Sequence, residues 1–473
     1  MEILPESSPP RRDRESLIAF LQYCQGKAKE RQQTQYASIS LRVGHISPLA
    51  VLQSIFEPQA SHFYIENPSD SEAIAGAEAI WTKSFSGESR FEETQKAIDE
   101  VLENLICIGD LDHRLAGPKF FFFHTFQDDP EEGSNFAPGT VFLPRWQVTA
   151  QGSDYFAIAN LPITEDSPLE FMVDKVLAAH GKFKLFDYSK PLEADLTECS
   201  ITTQEEVGTK SFEGNVEEAL GFIAAGELDK LVISRAIDFE LTKEAAPLDW
   251  LNQLREKYRE CYSFSVSNEQ SESFIGLTPE LLLRVEGSRL QTEALAGSAP
   301  RGTSAGEDAQ FAAKLLSSEK DLREHQFVAE SIRRRLSEMG IEASLDSRTS
   351  LRVLPNVQHL CCRIEAQLEA KAHFWQILRT LHPTPAVGGT PKEKVLPTIS
   401  ELEDHPRGLY SGTLGWISPN GNGQAVVAIR SGLVKGKKVR LYAGAGIVEG
   451  SQPELEKRET DLKLKVLLEA LGG

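Results

Sequence analysis

No stretch of this 473-residue chain approaches the length of a membrane span. The first fifteen residues, rich in proline, serine and charge, lack the apolar core of an export signal, so no targeting segment is expected there. Positive charge is also in short supply: 50 Lys and Arg stand against 70 Asp and Glu. The formal net charge of −20 repels nucleic acid and anionic membrane, and neither is expected as a partner. The six cysteines, Cys24, Cys107, Cys199, Cys261, Cys361 and Cys362, form no C-x-x-C pair, which excludes a zinc framework. Such usage fits thiols serving as small core residues in a reducing compartment, and a cytoplasmic protein is expected. Short repeats and low-complexity tracts are absent as well.

What remains is ordinary globular composition, 40% hydrophobic and 25% charged, ample for one large core or two smaller ones. Apolar periodicity predicts helices over 16–26 (with Ser16 as N-cap), 90–105, 216–225, 246–258, 306–316, 317–338, 374–382 and 453–471. Strand patterns run over 38–43, 120–125, 140–148, 230–241, 263–266, 273–277, 281–286, 289–293, 412–417, 424–430 and 438–443. The four phenylalanines 120–123 read as a strand buried on both faces. Residues 1–15 are expected to be a disordered tail. Periodicity fades over 192–206, which places an internal boundary between an N-terminal subdomain, 16–204, and a C-terminal region, 205–473, within one structural domain. Strands in meanders with interspersed helices predict an α+β fold, with antiparallel sheets packed between helices.

Two glycine motifs mislead. The strand 439–442 runs into Gly444-Ala445-Gly446, which resembles a dinucleotide fingerprint, but the third glycine comes one residue late and no βα half follows. A tight turn exposing backbone N–H groups to a carboxylate is the better expectation. Gly388-Gly389-Thr390-Pro391-Lys392 lacks P-loop spacing, and Pro391 removes a donor. Gly421-Asn422-Gly423 reads as a hairpin turn.

Two acidic pairs stand out, Asp321 with Glu324 and Glu456 with Glu459, each on a predicted helix. Residues at i and i+3 share a helix face, so each pair aims two carboxylates at one point. Facing helices would bring up to four carboxylates together, an oxygen-rich set suited to Mg²⁺. Two solvated helix faces are the plain alternative.

Motifs around these pairs carry a resemblance. In order, Lys230-Leu231-Val232-Ile233-Ser234-Arg235, Gly276-Leu277-Thr278-Pro279-Glu280, Thr292-Glu293-Ala294-Leu295-Ala296-Gly297-Ser298, Asp321-Leu322-Arg323-Glu324-His325, Val357-Gln358-His359-Leu360, Leu381-His382-Pro383-Thr384-Pro385-Ala386-Val387-Gly388-Gly389, Val427-Ala428-Ile429-Arg430-Ser431 and Ala443-Gly444-Ala445-Gly446-Ile447-Val448 resemble the chorismate-utilising enzymes. The resemblance spans about 205–473, and the segment 136–145 extends it towards the N-terminus. It implies one large domain with chorismate bound in a deep cleft. By motif position, Glu324 and Glu459 would be direct Mg²⁺ ligands, with Asp321 and Glu456 beside them. Arg430 would hold a substrate carboxylate, helped by the Tyr410 hydroxyl and the Gly444 and Gly446 backbone. Leu295, Ala296, Gly297, Ser298 and His359 would line the ring, and His325 would support the metal-side helix. Lys230 would act as general base on the water that attacks C2, and Glu280 as the acid that protonates the departing C4 hydroxyl. Left to their own context, Lys230, Arg430 and Glu280 would read as a solvated lysine, an ion-paired arginine and an ordinary strand-end acid.

Within that family the branches differ by nucleophile. Ala296 stands where one branch carries a nucleophilic lysine, and Lys230 is the base that the ammonia-using branch lacks. Water is therefore the expected nucleophile, and conversion of chorismate to isochorismate the expected reaction. Continuing to salicylate by pyruvate elimination is the alternative, and a silent chorismate-binding module a remote one. A monomer with no glutamine amidotransferase subunit is expected. One departure is the hairpin Gly421-Asn422-Gly423-Gln424, where isochorismate-forming relatives often carry two acids.

Overall fold

A computed structural model describes residues 1–4, 13–193, 199–369 and 373–471 of the chain. Two sheets share the long antiparallel pair Glu72–Phe85 and Gly139–Gln151. From one part of that pair the first sheet runs through Asp154–Ile163, Gln35–Arg42, Leu105–Gly109 and Glu2–Ile3. On its other side follow His62–Asn67, Tyr262–Ser267, Ser273–Thr278, Ser431–Lys435, Lys438–Ile447, Lys230–Leu241 and Ile201–Glu206. The second sheet leaves the start of Gly139–Gln151 and runs through Phe120–His124, Thr413–Ile417, Gly423–Val427, Leu281–Glu286, Arg289–Pro300 and Val357–Gln367. Pairing is antiparallel except around Leu105–Gly109. The α+β class and the antiparallel sheets match the expectation.

An aromatic core lies between the layers, with Phe63 of one sheet stacked on Phe121 of the other at 4.5 Å. All four phenylalanines 120–123 are buried, because that strand has packed side chains on both faces. Helices cover the outer faces: Arg90–Glu103, Glu319–Glu338 and Phe374–Leu381 over the second sheet, Arg14–Arg31 and Leu169–Leu185 over one end of the first. Phe212–Ala224, Lys392–Leu402 and Pro453–Leu468 cover its other end. No helix among the described residues is long and apolar enough to cross a membrane.

Several expectations need correcting. Of the tail 1–15, Glu2–Ile3 pairs with Ile106 and Cys107, and the first long helix already starts at Arg14; residues 5–12 lie outside the described residues. Asp13, not Ser16, caps that helix, accepting from the Ser16 N–H at 2.9 Å. The stretch 192–206 contains a strand, Ile201–Glu206, whose alternation is masked because most of it is exposed. N- and C-terminal regions share both sheets, so no sheet edge marks a division between them.

The Gly444/Gly446 segment is not a turn. Lys438–Ile447 continues through both glycines, paired residue for residue with Lys230–Leu241 (Ser234 opposite Gly444, Val232 opposite Gly446). Both glycines face their partners in non-hydrogen-bonded pairs, so their backbone groups point away from Lys230–Leu241, and the Gly444 carbonyl accepts from Lys463 at 2.7 Å. The turn comes later, where the Ser451 N–H reaches the Val448 carbonyl. The strand predicted over 424–430 ends at Val427. Arg430 sits instead on the bend before Ser431–Lys435, with φ of 51°.

Candidate active site

The site lies where the chain crosses between the two sheets. Thr278 ends a strand of the first sheet and Leu281 begins one of the second, leaving Pro279 and Glu280 on the crossing. Ala428, Ile429 and Arg430 make the return crossing. Period-2 alternation does the rest. Leu231, Ile233, Ala445 and Ile447 pack under the outer helices, so Lys230, Val232, Tyr442, Gly444 and Gly446 face inward.

Two helices close the cleft. In Glu319–Glu338 the buried stripe His325, Val328, Ala329, Ile332 and Leu336 faces the second sheet, and Asp321 and Glu324 prolong that stripe by one turn. Ser318 caps this helix through the Asp321 N–H, and its acidic first turn suits the helix dipole. In Pro453–Leu468, Glu456 continues the buried row of Thr460 and Leu464. The result is a cavity of about 130 Å³ lined by every candidate from the sequence except His325. His325 lies behind it, donating Nε2–H to the Ala294 carbonyl at 3.3 Å and tying helix to strand. Burial holds its imidazole below the ordinary value.

Lys230 is 3% exposed and donates to Glu324 Oε1 at 2.7 Å. Gly446 makes room for it: a Cβ there would lie 2.8 Å from Lys230 Cε. Gly297, with φ of +74°, forms a bulge that skips one residue in the ladder and sets Ser298 opposite His359. A Cβ at Gly297 would meet Asp321 Cβ at 3.2 Å, so this glycine also lets the acidic helix approach.

The dry end of the cavity is built from Glu280, His359 and Arg430. Burial pushes the Glu280 carboxyl up to about 7, opposed by a hydrogen bond from Thr384 and by Lys230. Burial, reinforced by Arg430, holds His359 well below the ordinary imidazole value, so it is neutral. Arg430 has only donors, so its Nη2, at 2.9 Å, makes His359 Nε2 the acceptor. The ring proton is then on Nδ1, which donates to Ser298 Oγ at 2.9 Å. Arg430 is thereby held from behind. Tyr410 stacks on Tyr442 at 5.2 Å beside it.

At the acidic end Asp321, Glu324, Glu456 and Glu459 line one cavity, but among the described residues no three acid, histidine or cysteine side chains converge closely enough to hold a metal ion. Burial and then the neighbouring Glu459 raise the Glu456 carboxyl. Burial would raise Glu459 too, but Lys463, at 2.8 Å, outweighs it and holds that carboxyl below its usual range. Lys463 also donates to the Gly444 carbonyl at 2.7 Å. Sequence reasoning missed Lys463 and Lys320, both lining the cavity. The i,i+4 spacing of Glu459 and Lys463 was the available signal for the first.

The donor set suits Mg²⁺, which keeps most of its waters and takes one or two carboxylates plus a substrate oxygen. With Glu280 protonated, four formal cations (Lys230, Lys320, Arg430, Lys463) balance four carboxylates in the cavity. A dianion entering this balanced site would add two negative charges, which one divalent cation cancels.

A buried lysine, a buried neutral acid and a buried arginine around one small polar cleft describe an enzyme acting on a small anion. The chorismate binding enzyme family profile matches residues 19–472, and the chain belongs to that family. It is 30% identical over 458 residues to isochorismate synthase MenF of Bacillus subtilis (strain 168), covering 94% of this chain and 96% of the relative. A salicylate biosynthesis isochorismate synthase of Pseudomonas aeruginosa is also 30% identical, over 95% of this chain and 92% of its own. Among solved structures, MenF, the menaquinone-specific isochorismate synthase from Escherichia coli, superposes with a TM-score of 0.76 at 26% identity, covering 95% and 99% of the two chains.

Proposed function

We propose that this enzyme converts chorismate to isochorismate in a Mg²⁺-dependent reaction. The observation that carries the reading is one small cleft holding both a buried lysine, Lys230, and a buried carboxyl, Glu280, that stays protonated up to about pH 7. These are the base and the acid that exchange of one hydroxyl for another needs. Lys230 takes a proton from the water whose oxygen bonds to C2. The C4–O bond breaks as the ring double bonds shift, and Glu280 delivers its proton to the departing oxygen, which leaves as water. Lys230 serves as base once Glu324, its present partner, is engaged elsewhere. Glu324 and Glu459 would hold Mg²⁺, with Asp321 and Glu456 beside them. When bound, the cation supplies charge neutralisation for a substrate carboxylate. Arg430, braced by His359, would take the other carboxylate with help from Lys463, the Tyr410 hydroxyl and the Gly444 and Gly446 backbone. Water as nucleophile requires no amidotransferase subunit.

The test is incubation of purified protein with chorismate, with Mg²⁺ and with chelator, followed by chromatographic separation of products. Isochorismate and residual chorismate in comparable amounts, formed only with the metal, are expected. Salicylate with stoichiometric pyruvate, or anthranilate with ammonia, would overturn the assignment.

A further inference from the structure

The Glu280 carboxyl has one hydrogen-bond donor among the described residues, and that donor is outside the cavity wall. Thr384 is 2% exposed, and its Oγ1 donates to Glu280 Oε1 at 3.2 Å. It is absent from the side chains lining the cleft, so it acts from behind the acid. Glu280 Oε2 has no hydrogen-bond partner among the described residues. The backbone on both sides of the contact is fixed. The Thr384 carbonyl accepts from the Val387 and Gly388 N–H groups at 3.2 and 2.9 Å, and the Val387 carbonyl accepts from buried Arg407 at 3.1 Å. Glu280 donates its own N–H to Thr278 Oγ1 at 3.2 Å, and its carbonyl accepts from the Val427 N–H at 3.2 Å.

We propose that Thr384 is a positioning residue for proton transfer: its hydroxyl anchors Glu280 Oε1, leaves Oε2 to carry the proton, and stabilises the carboxylate that remains after transfer. The inference rests on Glu280 being the proton donor. The direction follows from simple chemistry. A hydroxyl hydrogen bond to a carboxyl oxygen is stronger when the group is ionised, so it makes the group a better acid. The charged groups facing the carboxyl are Lys230 and Arg430, which favour ionisation, and Glu293, which opposes it. Both Glu293 oxygens accept from Arg352 at 2.9 Å, which mutes that opposition. None of these groups bonds to the Glu280 carboxyl, so the hydroxyl is the one local contact that a single isosteric substitution removes.

The experiment compares full-length wild type with Thr384→Val and Thr384→Ser, measuring kcat and KM for chorismate with Mg²⁺ across pH. For Thr384→Val, kcat falls roughly tenfold and the alkaline limb of kcat/KM moves up by about one pH unit, from loss of one hydrogen bond to an ionised group. KM stays nearly constant, because Thr384 does not touch substrate, and Thr384→Ser restores both kcat and the limb. Thr384→Ala gives the same test if valine disturbs packing. Wild-type kcat and limb in the valine and alanine variants would overturn the proposal. So would equal slowing of the valine and serine variants with an unmoved limb, which marks a packing role. Wild type that does not turn over chorismate would instead overturn the activity assigned above.

Discussion

The two ends of the cleft handle carboxylates in opposite ways. At the helix end Glu324 and Glu459 are partly exposed and each meets a lysine, Lys230 or Lys463. At the sheet-crossing end Glu280 is 3% exposed, has a threonine for its contact, and keeps its proton to about pH 7. One residue type thus pairs with a lysine in a part-exposed setting at one end and keeps its proton in a dry setting at the other. Solvent access and partner charge make the difference, not the side chain itself. The lesson is that an acid's role here follows from which element carries it. At the two helix starts Glu324 and Glu459 keep a lysine and some exposure to water while Glu456 is buried, whereas the crossing between two packed sheets leaves Glu280 with no ion pair among the described residues and almost no exposure to water.

Three substitutions press on this contrast. Lys230→Ala has the largest effect: turnover falls by roughly 10³-fold, the scale of a lost general base, while thermal unfolding stays cooperative. Product chromatography and a melting curve check it; activity within a few-fold of wild type would remove the lysine from the mechanism. Glu280→Gln comes next, with kcat down by roughly 10²-fold and a changed pH dependence of stability. Burial raises the folded carboxyl above its unfolded value of 4.5 to about 7, so in that window the folded state holds a proton the unfolded chain has lost. Its contribution to stability therefore falls as pH rises from about 4.5 to about 7. Denaturant titrations should show that slope in wild type and lose it in the glutamine variant; identical slopes would place Glu280 in a wetter setting. Gly446→Ala is the mildest. Its methyl displaces the Lys230 stem, so kcat drops by about tenfold with stability changed by about 1 kcal/mol. Unchanged kcat would show that the lysine tolerates a shifted position.

Much of the cleft was legible from order and spacing. The pairs Asp321/Glu324 and Glu456/Glu459 do share helix faces turned to one cavity, because helical period alone decides which residues are neighbours. The family resemblance is borne out by the profile match and by relatives aligned over nearly the whole chain. The Gly421-Asn422-Gly423 hairpin is where it was expected, between Thr413–Ile417 and Gly423–Val427. Its departure from the acidic pattern has a local account. The Asn422 side chain accepts from the Gly287 N–H at 2.8 Å and Gln424 from Arg284 at 3.1 Å, joining two hairpin turns whose own residues are not in the cavity wall. The reading of Gly444 and Gly446 as a turn failed because glycine signals backbone freedom and close approach with the same letter. Here close approach prevailed, since the Lys230 stem crosses one glycine and the Tyr410 hydroxyl would meet a Cβ on the other at 2.9 Å.

By itself, the sequence determined the α+β class, the two acidic helix faces, the antiparallel meander and the set of side chains that line one cavity, all of which depend on local periodicity or on motif order. Tertiary structure alone decided that Arg430 sits on a left-handed bend, that His359 is a neutral acceptor behind it, and that Lys463 reaches the Gly444 carbonyl. It also set that Glu280, buried at the sheet crossing, keeps its proton to about pH 7. Those properties come from desolvation and from contacts between residues far apart in the chain, such as Thr384 and Glu280, 104 positions apart. No local pattern encodes them, because the dielectric around a group belongs to its neighbours in space.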